Sequence, residues 1–187
     1  MIEIRWHGRG GQGGFTAAKL LGASISLYGD RYALSFPSFG PERRGAPVLA
    51  YTKIDNQKIL DRSEITKCDY IVILDESLFN ESFLYHLKPD GRIIINSNDV
   101  SKYKNNPSVF AIDATSLSLE ILEKPITNTA MLGALIGVSG ILELDAVLSG
   151  TEDFMKGELL VKNKRLIERA FGLAREGLHE QTTTYSA

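Results

Sequence analysis

The chain has a single cysteine, Cys68, and that scarcity closes off several chemistries at once. An internal disulfide needs two thiols, and a cysteine-ligated iron–sulfur cluster housed within one chain needs more than one such ligand. Histidine is nearly as scarce. His7, His86 and His179 stand far apart and have no metal-ligand spacing. Neither a Ser/His/Asp nor a Cys/His arrangement can be built from this set. Excess charge is missing too: a formal net charge of −2 gives neither nucleic acid nor an anionic membrane a reason to be the main partner. Pro125 to Leu142 carries no charge, but Thr127, Asn128, Thr129, Ser139 and three glycines make it a buried helix rather than a membrane span. The N-terminus enters a strand pattern and meets glycines almost at once, so no signal peptide is expected and the cytoplasm is the expected location.

What is present reads as an ordinary soluble protein. The 187 residues, 43% of them hydrophobic and 24% charged, suffice for one domain with a proper core. Alternation in Ile2 to Trp6 predicts a first strand, and Phe15 to Tyr28 predicts a helix with Lys19 as its one charged side chain. A helix so apolar all round needs cover on two sides, one from its own sheet and the other expected from another subunit. Strands follow at Tyr32 to Phe36, Val48 to Ile54, Tyr70 to Leu74, Arg92 to Asn96 and Val109 to Asp113. The continuous β-branched runs among these suit strands buried on both faces, as in a parallel sheet. Helices are expected at Ser77 to Leu87, Ser116 to Leu122, Ala130 to Leu142, Asp145 to Met155 and Val161 to Leu178. Pro89-Asp90-Gly91 would end the first of these, and Gly133 and Gly137 would permit close approach along one side of the third. The alternation of strands and helices predicts an α/β fold: a single layered domain over residues 1–180, a mainly parallel sheet flanked by helices, and a disordered polar tail at 181–187.

The stretch that organises the chain is Gly8-Arg9-Gly10-Gly11-Gln12-Gly13, a glycine-dense loop between the first strand and the first helix. Glycines let backbone N–H groups approach an anion, and a helix N-terminus favours negative charge. Gly8-x-Gly10-x-x-Gly13 also fits the dinucleotide fingerprint, which opens the alternative of a stand-alone NAD(P)-binding oxidoreductase. That reading wants an acidic residue about 20 positions on; Asp30 is near that distance but precedes the second strand, in a turn. No Lys-Ser/Thr follows the glycines, so there is no case for a P-loop ATPase. His7, beside the loop, could hydrogen-bond a ligand or serve structure alone. Further on, Arg43 and Arg44 lie in a loop with three prolines and two aromatics, suited to gripping a phosphate or carboxylate or to forming a subunit interface.

Three motifs taken together resemble the gamma subunit of the 2-oxoacid:ferredoxin oxidoreductases: Arg5-Trp6-His7-Gly8-Arg9-Gly10-Gly11-Gln12-Gly13, Phe39-Gly40-Pro41-Glu42-Arg43-Arg44-Gly45-Ala46-Pro47, and Asn128-Thr129-Ala130-Met131-Leu132-Gly133-Ala134-Leu135. Their order and separation match as well, and the Glu-Arg-x-Gly-Ala-Pro form is similar to the pyruvate branch. The resemblance implies a reaction in which a 2-oxoacid, coenzyme A and oxidised ferredoxin give acyl-CoA, carbon dioxide and reduced ferredoxin. It implies that thiamine diphosphate and the iron–sulfur clusters belong to partner subunits (alpha, beta and a ferredoxin-like delta), with ferredoxin as electron acceptor. For this chain it implies a share of the coenzyme A site and an assembly surface, inactive by itself. Gly8, Gly10, Gly11, Gln12 and Gly13 would frame an anionic part of the ligand, with Arg43 or Arg44 adding charge. A purely structural assembly subunit is the remaining alternative.

Overall fold

The computed structural model describes residues 1–38 and 45–185, with side chains of the closing helix described as far as His179. Its strands are β1 (Ile2–Arg9), β2 (Tyr32–Pro37), β3 (Pro47–Asp55), β4 (Cys68–Ile73), β5 (Leu87–Asn96) and β6 (Val109–Ile112). They form one sheet in the order β2-β3-β1-β4-β5-β6. β1, β4, β5 and β6 are mutually parallel, whereas β3 runs antiparallel to both β1 and β2. The Ile71–Ile73 and Ile93–Ile95 runs are wholly buried at the centre, the outcome expected of strands covered on both faces.

Among the described residues the α-helices are α1 (Gly14–Tyr28), between β1 and β2, and then, after β6, α2 (Ala114–Leu122), α3 (Asn128–Ser139), α4 (Leu144–Phe154) and α5 (Gly157–Tyr185). All of them pack on one face, in a core that includes Ile4, Trp6, Val72, Ile94, Leu21, Leu132 and Ile167. The sheet is therefore flanked by α-helices on that side only. The other face, with Ile71, Ile73, Ile93 and Ile95, is roofed by Ile65, Phe79, Phe83 and Leu84 from coil and short turns. The helix expected at Ser77 to Leu87 is not there. In its place stand two 3₁₀ turns, Glu76–Leu78 and Glu81–His86. Asp75 accepts from the Ser77 N–H and Asn80 from the Ser82 N–H, so each side chain restarts the backbone before an α-helix can propagate. Pro89-Asp90-Gly91 consequently lies within β5 rather than ending a helix.

α4 supplies a second cover for α1 from within the chain. α4 crosses it so closely that a Cβ at Gly150 would sit 2.0 Å from Ser24 Oγ. α3, uncharged and buried from Asn128 to Gly137, lies between the sheet and α5. A Cβ on Gly133 would come within 2.4 Å of the Ile167 carbonyl oxygen, so the close approach expected of that glycine is real. α5 carries helical backbone through Tyr185, seven residues beyond the expected end; of the expected tail, 186–187 lie outside the described residues. Among the described residues, no helix is long and apolar enough to cross a membrane.

Candidate functional site

Strand order determines where a ligand can sit. From β1 the chain crosses by α1 to β2 on one side, while from β4 it proceeds to β5 and β6 on the other. The crevice between the carboxyl ends of β1 and β4 is thus a topological switch point, the usual ligand position in an open α/β sheet. The glycine loop, residues 10–13, lies at that crevice.

Two helix N-termini converge on it. α1 starts at Gly14, directly after the loop, and α3 starts at Asn128, whose Nδ2 donates to the Gly13 carbonyl at 3.4 Å. Gly13 holds φ +78°, and a Cβ there would lie 2.7 Å from Asn128 Nδ2, so only glycine fits. Each helix end carries unsatisfied N–H groups and a partial positive charge, and the two reinforce one another here.

The loop's own donors divide into two groups. Gly10 N–H donates to the Ala46 carbonyl at 2.9 Å, and Gln12 N–H to the Arg9 carbonyl at 3.0 Å. These two are consumed within the chain, which corrects the expectation that both face a ligand. Among the described residues, Gly11, Gly13 and the first turn of α1 (Gly14, Phe15, Thr16) supply the donors left over, since the intrahelical ladder begins with Ala17 N–H to the Gly13 carbonyl. The Gln12 side chain also turns inward: Oε1 accepts from Arg9 N–H at 2.7 Å and Nε2 donates to Asp75 Oδ2 at 3.2 Å. Gly8 makes room for it, because a Cβ there would lie 3.3 Å from Gln12 Oε1.

Arg9, Asp75, Ser77 and Asn128, which pattern reading did not assign to the site, complete the surround. Arg9 donates through Nε to Asp75 Oδ2 at 2.9 Å, through one terminal nitrogen to the Gly45 carbonyl at 3.1 Å, and through the other to Ser77 Oγ at 2.9 Å. Burial alone would raise the Asp75 pKa, but hydrogen bonds from Ser77, Gln12 and Arg9 outweigh it and hold the carboxyl below its ordinary value. The signal for Asp75 was its place just past the buried run Tyr70 to Leu74, at the carboxyl end of a parallel strand; Asn128 was legible only as a helix start.

Arg43 and Arg44 lie outside the described residues. The residue that follows them does not: Gly45 N–H donates to the Gly10 carbonyl at 3.1 Å. The glycine loop and Gly45 therefore share one corner. The His7 ring packs at a tilt against Phe83, with centroids 4.5 Å apart, and burial, helped by Arg5 and His86, pushes its pKa down to about 3. Cys68 is fully buried, and burial pushes its thiol up to about 12, so it is no thiolate at neutral pH. Asp30 sits at the wrong end of the sheet. It precedes Tyr32, which pairs with Asp55 beside the start of β1, the end remote from the glycine loop. The dinucleotide reading loses the carboxylate it required.

Comparison with known proteins agrees with this fold. The family model described as "Pyruvate ferredoxin/flavodoxin oxidoreductase" matches residues 3–173. The pyruvate/ketoisovalerate oxidoreductases common subunit gamma of Pyrococcus furiosus is 43% identical, with 91% of this chain and 96% of that protein covered. The crystal structure of pyruvate oxidoreductase subunit PORC from Thermotoga maritima superposes with a TM-score of 0.79 at 32% identity, covering 91% of this chain and 95% of that one. The fold also recurs in 2-oxoglutarate:ferredoxin oxidoreductase from Magnetococcus marinus, solved with 2-oxoglutarate, coenzyme A and succinyl-CoA bound (TM-score 0.76, 18% identity, 94% of this chain and 31% of that chain). With a family match over most of its length and a relative well above 30% identity, this chain belongs to the pyruvate ferredoxin/flavodoxin oxidoreductase family.

Proposed function

We propose that the chain is the gamma subunit of a 2-oxoacid:ferredoxin oxidoreductase acting on pyruvate, and that its glycine loop presents backbone donors to an anionic part of coenzyme A. One observation carries the second half: the N-termini of α1 and α3 meet at the Gly13–Asn128 contact over the carboxyl ends of β1 and β4. A paired helix-end site of this kind suits phosphate, the charged group that coenzyme A offers. Thiamine diphosphate and the iron–sulfur clusters belong, in this reading, to the alpha, beta and ferredoxin-like delta subunits, and ferredoxin takes the electrons. What this chain contributes is binding and orientation. The N–H groups of Gly11, Gly13, Gly14, Phe15 and Thr16 hold the anion, while Arg43 or Arg44 adds charge from the segment that ends at Gly45.

The test turns on charge at one open position. Gly11 has φ +97°, and a Cβ there would meet nothing within 4 Å. Aspartate and asparagine tolerate left-handed backbone about equally and have the same shape, so the two variants share any strain and differ only in charge. In the assembled complex, Gly11→Asp should raise the KM for coenzyme A about tenfold, the loss of one charge-assisted contact, while Gly11→Asn stays near the parent. Equal constants for the two variants would remove the loop from the coenzyme A site.

A further inference from the structure

We infer that Arg9 and Asp75 form a latch that fixes the glycine loop to the base of the arginine loop, making Arg9 a positioning residue for coenzyme A rather than a contact. The inference rests on the reading of the loop as a donor cradle and adds the device that keeps the cradle in shape.

Arg9 is the last residue of β1 and Asp75 lies two residues past the end of β4, so the latch spans the switch-point crevice. Every nitrogen of the Arg9 guanidinium has a partner on a different residue: Asp75, Gly45 and Ser77. Those three partners sit on two separate segments, one leaving β4 and one entering β3. Asp75 is shared in turn, because its Oδ2 also accepts from Gln12 Nε2, and Gln12 Oε1 takes the backbone N–H of Arg9. The loop is thereby gripped from inside at Gln12 and from the side at Gly45. Two backbone bonds, Gly10 N–H to the Ala46 carbonyl and Gly45 N–H to the Gly10 carbonyl, close the same corner.

The consequence is preorganisation. Gly10, Gly11 and Gly13 would otherwise leave the loop with wide backbone freedom, and a ligand would have to order it on binding. The latch removes that cost in advance. It also couples the loop to Gly45. A guanidinium is suited to this because its planar fork reaches three acceptors at once; a lysine ammonium keeps the charge but not the fork.

The experiment uses the assembled complex. Arg9→Gln should raise both the KM for coenzyme A and the Kd read by direct titration about fivefold to tenfold. The turnover number at saturating coenzyme A, the coenzyme A-independent decarboxylation step and the subunit content should stay near the parent. Asp75→Asn should act in the same direction, and the double variant should be no worse than the stronger single one, since both act through one contact. Arg9→Lys should restore little. If Gly11→Asp weakens coenzyme A binding but Arg9→Gln in an intact complex does not, the latch is refuted and the cradle stands. If neither variant changes it, the cradle itself fails and the latch with it. A fall in the decarboxylation step or loss of the subunit from the complex would instead mark Arg9 as merely structural, and would likewise overturn the inference.

Discussion

At the scale of single residues, the clearest feature outside the site is His7. Its Nε2 is buried without a hydrogen-bond partner among the described residues, and the ring is pressed against Phe83. Burial holds it neutral, with a pKa near 3 against an ordinary 6.5. Between those values the unfolded chain carries a proton here that the folded chain does not. Stability contributed at this position therefore rises with pH across the window and is lost on acidification from about pH 6.5 towards pH 3, with a limiting slope of about 1.4 kcal/mol per pH unit. His7→Phe keeps a ring against Phe83 and removes the titration. Urea midpoints of the subunit at several pH values should fall more steeply with acid for the parent than for the variant. Asp75 titrates in the other sense. Its depressed carboxyl keeps the latch charged from neutral pH down to below the ordinary carboxylate range, and protonation there would release Arg9 and Gln12 together.

At the scale of elements, the glycines of α3 determine how its buried face meets α5. Gly133 approaches the Ile167 backbone, and a Cβ on Gly137 would lie 2.7 Å from the Ala174 Cβ and 2.8 Å from the Phe171 carbonyl oxygen. Alanine is ordinarily the better helix former, yet Gly133→Ala should destabilise the subunit by about 1–3 kcal/mol, because the new methyl group meets backbone that cannot swing away. Denaturant unfolding would register this as a lower midpoint with an unchanged slope. The same substitution bears on function by a second route: α3 carries Asn128, so pushing α3 away from α5 shifts the partner of the Gly13 carbonyl. The roofed face obeys different rules. Asp75 and Asn80 cap 3₁₀ turns where the apolar spacing alone is compatible with a helix, and Phe79 and Phe83 still reach the sheet. Hydrophobic spacing records which residues must be buried, and the side-chain caps decide which backbone buries them.

At the scale of the molecule, the rival dinucleotide reading is decided by which end of the sheet each of its residues reaches. Asp30 and the glycine loop lie at opposite ends of β1, about 25 Å apart along a strand of 8 residues. Titrating the subunit with NADH should therefore give no saturable energy transfer from Trp6, the one tryptophan of the chain. Micromolar saturation would revive that reading. The local pattern determined the strand segments, the parallel preference of the isoleucine runs and the glycine loop at a helix start, because each of these depends on residues within a few positions of one another; the family was legible from three such local motifs and their order along the chain. Tertiary structure alone decided the rest. Gly13 meets Asn128 across 115 positions and Gln12 meets Asp75 across 63, separations at which no propensity or periodicity acts. It is the strand order β2-β3-β1-β4-β5-β6 that carries those residues to one edge and leaves Asp30 at the other. Of the two N–H groups that the glycine motif had seemed to offer and the chain consumes, Gln12 N–H goes to the Arg9 carbonyl in a local turn, whereas Gly10 N–H goes to the Ala46 carbonyl, a partner that only the tertiary structure brings near.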